Sequence, residues 1–226
     1  MNFSPSSRGR LTDRDLGRFP AATLFDRMAR AVCHAGCLPR KELYEAWEVA
    51  RRARRLFRGG RIVDLGAAHG LLGHAMMLLD DSSPTALLVD KTRPSSSGKL
   101  HESLVRAWPR LAGRLSFAEC RLEDVELFPM DIVVSSHACG GLTDLILERA
   151  AAVRARVAVL PCCHHFSSGR AGGLSGWIDE ALAIDVARAL RLQGYGYRIW
   201  TQEIPREITP KNRLLLAEAI RSDSCL

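Results

Sequence analysis

Between residues 61 and 162 five short apolar runs alternate with stretches of helical spacing. After residue 195 the chain closes with two more apolar runs that leave no room for a helix between them. "RIVDLG" (61–66), "TALLVD" (85–90), "LSFAEC" (115–120), "MDIVVSS" (130–136) and "ARVAVLPC" (155–162) read as strands. "LLGHAMMLLD" (71–80), residues 98–112, "LTDLILERAAAVR" (142–154) and "GWIDEALAIDVARALRLQ" (176–193) read as helices. Strands alternating with helices in this way give βαβ units and a parallel sheet. "YRIWTQEI" (197–204) and "NRLLLAEA" (212–219) are too close in sequence for a crossover, so they are expected to pair antiparallel as a hairpin at the end of the sheet. The expected fold is α/β, with a seven-stranded, mostly parallel sheet and helices on both faces.

Two helices precede the first strand. "FPAATLFDRMARAVCHAGCL" (19–38) is stopped by Gly36 and Pro39, and "RKELYEAWEVARRARRLF" (40–57) places Leu43, Trp47, Ala50 and Leu56 or Phe57 on one face. Glu42, Glu45 and Glu48 lie in its first half and Arg51, Arg52, Arg54 and Arg55 in its second, an order that suits the helix dipole. The arginines are expected to be a solvated helix end, the other reading being a phosphate-contacting edge. The chain divides into a polar, frayed stretch (1–18), a helical extension (19–58) and one domain (59–222).

The 226 residues suffice for one sizeable core. No apolar run approaches the roughly 20 residues that span a bilayer, and "MNFSPSSRGRLTDRD" has no apolar segment of the secretory kind. Seven cysteines at irregular spacing fit reduced thiols in the cytoplasm better than disulfides. The net charge of +7 attracts polyanions such as RNA, although it is a solubility argument as much as a partner argument.

"IVDLGAAHGLLG" (62–73) is a strand, a glycine turn and a helix start. Gly66 and Gly70 let the backbone turn tightly and approach a ligand. Asp64 stands near the strand end, and Asp90 ends the next strand, where a carboxylate can accept both hydroxyls of a ribose. A glycine turn plus that acid points to an adenosine-type ligand. No lysine follows the glycines as a P-loop would need, and the spacing is not that of the NAD fingerprint.

The D-x-G-x-x-x-G form of this turn, with the closing hairpin, resembles a class I S-adenosylmethionine methyltransferase, a Rossmann-like fold. The resemblance implies S-adenosylmethionine as cofactor. It implies that Asp64, Gly66, Ala68 and Gly70 serve the turn and the methionine part, and that Asp90 holds the ribose. In "FAECRLEDV" (117–125) such enzymes often place an acid near the adenine amine. Arg121 stands at that position here, so Glu123, just after it, is the expected contact. "HACGGLTD" (137–144) and "PCCHH" (161–165) resemble the methyltransferase family that includes the eukaryotic tRNA 2′-O-ribose methyltransferase of the acceptor stem. His137, Cys139, Gly140, Thr143, Asp144 and residues 161–165 match. The lysine usual before the histidine is Ser136 here, and the zinc-finger segments are missing. The resemblance implies a methyltransferase with RNA as acceptor. The alternatives are a small-molecule or protein acceptor, or an S-adenosylmethionine-binding module without turnover.

"PCCHH" admits several chemistries. A structural zinc site needs four ligands. Neighbours on an extended backbone point to opposite faces, so only one Cys and one His can converge. Cys33 and Cys37 could complete such a set, but they fit better as small buried residues, and no metal is expected. A thiolate nucleophile would use Cys162 or Cys163 beside His164. A vicinal disulfide is disfavoured in a reducing compartment. The favoured reading is a loop shaped by Pro161, with His164 or His165 facing the substrate. His137, Asp144, His164 and His165 are the candidates for proton acceptor and orienting group. "SSGRAGGLSG" (167–176) is expected to be either a gating loop or an ordinary surface loop.

Overall fold

The computed structural model describes residues 3–136, 138–161, 164, 171 and 173–220. Its strands are β1 (Ile62–Leu65), β2 (Ala86–Asp90), β3 (Leu115–Glu119), β4 (Ile132–Ser135), β5 (Arg156–Val159), β6 (Tyr197–Glu203) and β7 (Arg213–Ala219). They form one sheet in the order β3-β2-β1-β4-β5-β7-β6. β1 to β5 run parallel, while β7 is antiparallel to both β5 and β6. The seven-stranded α/β fold and its closing hairpin are as expected. β1 and β4 are short and buried along their whole length, as central strands covered on both faces must be.

The period of two sorts these residues to opposite faces. Ile62, Ile132, Val134, Ala158, Leu214 and Leu216 pack with α1 (Leu24–Ala35), α2 (Arg40–Leu56), α3 (Leu71–Leu79) and α4 (Ser97–Ala107). Val63, Val133, Val157, Val159, Leu215 and Ala217 pack with α5 (Gly141–Ala152) and α6 (Glu180–Gly194). From β1 the chain proceeds to β2 and β3 on one side and later to β4 and β5 on the other. The crevice outside the carboxyl ends of β1 and β4 is therefore the ligand position of an open sheet. Among the described residues no helix is long and apolar enough to cross a membrane.

Two local differences have physical causes. α1 starts at Leu24 rather than near Phe19, because the Thr23 hydroxyl caps the Asp26 N–H and fixes the first turn there. It ends at Gly36 in the left-handed conformation (φ 63°), as the glycine implied. Of the stretch expected to be frayed, residues 3–18 pack onto α1 and α2. Leu11 is fully buried and its N–H donates to the Leu38 carbonyl (2.9 Å), and the Arg40 guanidinium covers the Phe3 ring. Isolated apolar anchors carry no periodicity, so they do not announce themselves in a polar segment.

Two arginines of α2, Arg52 and Arg54, serve the fold. Arg54 is buried and donates to the Met76 carbonyl (2.8 Å) and the Ser83 hydroxyl (2.8 Å), while Arg52 pairs with Glu48 and donates to the Glu203 carbonyl (3.0 Å). A wholly solvated helix end therefore does not describe them. Of the four, Arg55 is exposed.

Candidate active site

The turn after β1 is built from left-handed residues: Gly66 (φ 73°), Ala68 (φ 48°) and Gly70 (φ 82°). The N–H groups of Gly66 and Ala67 both donate to the Val89 carbonyl (2.9 Å each), which ties the turn to the end of β2. Asp90 completes the tie, one carboxylate oxygen accepting from the Ala68 N–H at 2.8 Å. An ionised carboxylate has about four acceptor positions, so this bond leaves Asp90 able to receive ligand hydroxyls. Asp64 lies beneath the turn. It is almost fully buried and its Oδ2 accepts from the Gly73 N–H (2.9 Å), clamping α3 to β1. Burial pushes its carboxyl up to about 7, against the downward pull of the Gly73 bond. A side chain at Gly73 would force Leu88 to move: a Cβ would lie 2.2 Å from the Leu88 Cδ2 methyl and 3.4 Å from the Asp64 carboxylate. Glu123 sits on the short 3-10 turn Leu122–Asp124 beyond β3, exposed and paired with Arg121 at 3.2 Å.

The other half of the crevice follows β4 and β5. His137, His165, Cys162 and Cys163 lie outside the described residues, as does much of 167–176. Gly140 (φ 59°, ψ −121°) opens α5, and the Thr143 hydroxyl donates back to the Ala138 carbonyl (2.7 Å). Asp144 faces α6, where Arg188 grips it with two nitrogens (2.8 and 3.2 Å) and also donates to the Gly140 carbonyl (3.1 Å). Arg188 also reaches Asp185 one turn earlier on α6 (3.2 Å). Asp185 in turn accepts from His164 Nε2 at 2.8 Å and from Arg213 Nε at 2.7 Å. Burial alone would raise the Asp185 carboxyl. The His164 and Arg213 hydrogen bonds outweigh it and hold the group below the usual carboxylate range. Asp144 and His164 are thus joined through Arg188 and Asp185. Neither Asp185, Arg188 nor Arg213 stands out in the sequence beyond one sign: Asp185 and Arg188, spaced i and i+3, interrupt the apolar run "ALAIDVARAL".

Cys33 and Cys37 are buried on and just after α1, and burial pushes the Cys33 thiol up to about 12. They behave as small core residues. Among the described residues no three His, Cys, Asp or Glu side chains gather as a metal-binding group.

A family model described as "Methyltransferase domain" matches residues 41–168, more than half of the chain. The chain belongs to this methyltransferase family. No curated protein matches it. Solved structures share its fold. An O-methyltransferase family protein from Burkholderia thailandensis is 16% identical with a TM-score of 0.54. The match covers 96% of this chain but 66% of that one, so this chain spans just under two thirds of that protein's length. The B. subtilis M1A22 tRNA methyltransferase TrmK is 17% identical over 78% of this chain and 67% of that one, with a TM-score of 0.50. A ribosomal protein L11 methylase from Lactobacillus delbrueckii subsp. bulgaricus is 13% identical over 78% of this chain and 77% of that one, with a TM-score of 0.51. In this family member the tie between Asp90 and the glycine turn stands beyond the carboxyl end of β2. The part-buried His164–Asp185–Arg188–Asp144 network follows the carboxyl ends of β4 and β5.

Proposed function

We propose that the chain is an S-adenosylmethionine-dependent methyltransferase acting on RNA, with its catalytic unit in residues 59–222 and residues 19–58 as a helical extension. The observation that carries the cofactor assignment is the Asp90 carboxylate bonded across the glycine turn to the Ala68 N–H. A strand-tip acid beside a turn of left-handed residues is the donor and acceptor set that a ribose and its attached chain require. The residues fit the cofactor: Asp90 would accept from the ribose hydroxyls, Gly66, Ala68 and Gly70 would bring backbone close to the methionine part, and Glu123 would stand on the adenine side. Asp64 acts from below by fixing the turn. The cofactor supplies a methyl group already activated on a sulfonium.

What is left to the protein is orientation and removal of one proton from the acceptor. His164 gives its Nε2–H to Asp185, which fixes the tautomer and leaves Nδ1 as the proton acceptor. Asp144 is an orienting group here, since Arg188 holds it and the Gly140 carbonyl together. His137 and His165 belong to the same set of candidates. RNA is supported by the resemblance at "HACGGLTD" and "PCCHH" and by the net charge of +7.

One observation favours a second acceptor class. A cavity of about 400 Å³ lies between α6 and the β6–β7 pair, walled by Leu182, Val186, Ala189 and Leu215, with Pro161 at its lip and Asp185 beside it. Its size and apolar walls suit a small apolar molecule. Tritiated S-adenosylmethionine incubated with the full chain and total RNA, protein and metabolite fractions separates the readings. Label in RNA is the expected result, and label confined to metabolites would favour the small molecule. Binding without transfer would make the chain a cofactor-binding module, and absence of binding would remove the assignment.

A further inference from the structure

On the sheet face that packs with α1 to α4, a second cavity lies away from the His164 network. It has a volume of about 120 Å³ and is lined by His69, His74, Leu88, Arg93, Ser97, His101 and β3 residues 115–117. A single water claims only about 30 Å³ of liquid volume, so there is room for a polyatomic ion. The lining contains three imidazoles and a guanidinium and no carboxylate.

The hydrogen bonds fix how these groups present themselves. His74 is buried, and its Nδ1 lies 2.7 Å from the Gly70 carbonyl, which only accepts. Nδ1 therefore carries the proton and Nε2 is the acceptor for His101 Nδ1, 3.1 Å away. His101 must donate through Nδ1, so its Nε2 is the one position where this relay can take up another proton without breaking a bond. Arg93 spends Nε on the Ser97 hydroxyl (2.8 Å) and lies over the Phe117 ring. Its two terminal nitrogens make no hydrogen bond among the described residues. His69 Nε2 bonds the Ser96 hydroxyl at 3.0 Å. Burial holds all three imidazoles below their ordinary pKa, His74 at about 4. The charged groups that act on them are Arg10 from the N-terminal segment, Arg93 from the loop after β2, and Glu102 on α4.

We propose that this cavity is a phosphate-binding site, in which one phosphate group is held by the Arg93 guanidinium and by His69 and His101. A dianion there gives His101 Nε2 an acceptor and a counter-charge, so binding protonates His101. The relay ends on the Gly70 carbonyl, so occupancy is felt at the turn that holds α3. The inference does not rest on the methyl-transfer reading, because the site binds whether or not the chain transfers methyl groups.

The test follows the His101 imidazole by NMR across a pH titration of the full chain. It is run without ligand, with orthophosphate, with a 5′-phosphorylated oligoribonucleotide and with its 5′-hydroxyl counterpart. The His101 protonation midpoint is expected to rise with orthophosphate. Arg93→Gln is expected to weaken the effect about tenfold, the loss of one charge-assisted bond. His101→Gln keeps a donor toward His74 and is expected to abolish proton uptake while the fold, followed by the remaining signals, is retained. A response to orthophosphate and to the phosphorylated oligonucleotide alone identifies a nucleic-acid terminal phosphate as a source. A response to orthophosphate only identifies the free ion. A His101 midpoint that neither phosphate form moves overturns the proposal.

Discussion

Asp64 and Asp90 stand at adjoining strand ends and do different work. Asp90 is partly exposed and spans the turn, whereas Asp64 is sealed below it. Because burial raises the Asp64 carboxyl to about 7 from an unfolded value near 3.9, the folded state binds the extra proton between these pH values. Stability contributed by this group is therefore present in acid and lost as pH rises toward 7. Asp64→Asn, which still accepts from Gly73, is expected to match the parent best below about pH 4 and to exceed it by a growing margin up to about pH 7 in thermal unfolding. An unchanged pH slope would show that Asp64 is ionised throughout. Ser135 ends β4 with its hydroxyl buried and, among the described residues, without a hydrogen-bond partner; an unmet buried hydroxyl costs about 1–3 kcal/mol, so Ser135→Ala is expected to raise the unfolding midpoint. At this scale the glycine turn and the acid beside it were legible, because they are local chemistry. Asp185, Arg188 and Arg213 were not, since their meaning comes from partners on other elements.

Those partners define the element scale. α6 is pinned to α5 and to the end of β5 by charges that would be costly alone. Arg188 is nearly fully buried and serves Asp144, Asp185 and the Gly140 carbonyl. Removing one partner of a buried pair costs about 3–5 kcal/mol, so Arg188→Ala is expected to lower stability by that order in denaturant titration. A loss below about 1 kcal/mol would mean that the network is water-filled and loose. Asp185→Asn acts differently. The carboxyl is held low in the folded state, so its stabilisation is present above an unfolded pKa near 3.9 and lost as pH falls through the folded value. The amide is expected to flatten the acid limb of the stability profile. In the methyl-transfer assay it is expected to lower kcat by about 10² with little change in KM, because it frees the His164 tautomer. A purely structural Asp185 would leave the pH profile of kcat in place. Helix existence was readable from spacing, but the Thr23 start of α1 and the inward turn of Arg54 on α2 depend on a cap and on buried carbonyls. Periodicity does not report these.

Across the whole molecule the strand and helix order alone implied a parallel sheet with a terminal hairpin. The observed order β3-β2-β1-β4-β5-β7-β6 adds where the crevice lies. That placement puts the Asp90 tie and the His164 network on the carboxyl edge of one sheet. The acceptor was less legible, because a net charge of +7 is spread over a chain whose α2 arginines largely serve internal bonds. In the proposed function the Gly66–Gly70 turn with Asp90 holds S-adenosylmethionine. Calorimetric titration of the full chain and of Asp90→Ala with S-adenosylmethionine tests it most directly. Saturable one-to-one binding to the parent is expected, with a loss of at least about tenfold in affinity for Asp90→Ala, the order that follows when a charged hydrogen-bond acceptor is removed. Equal affinity for both proteins, or no binding to the parent, would contradict it.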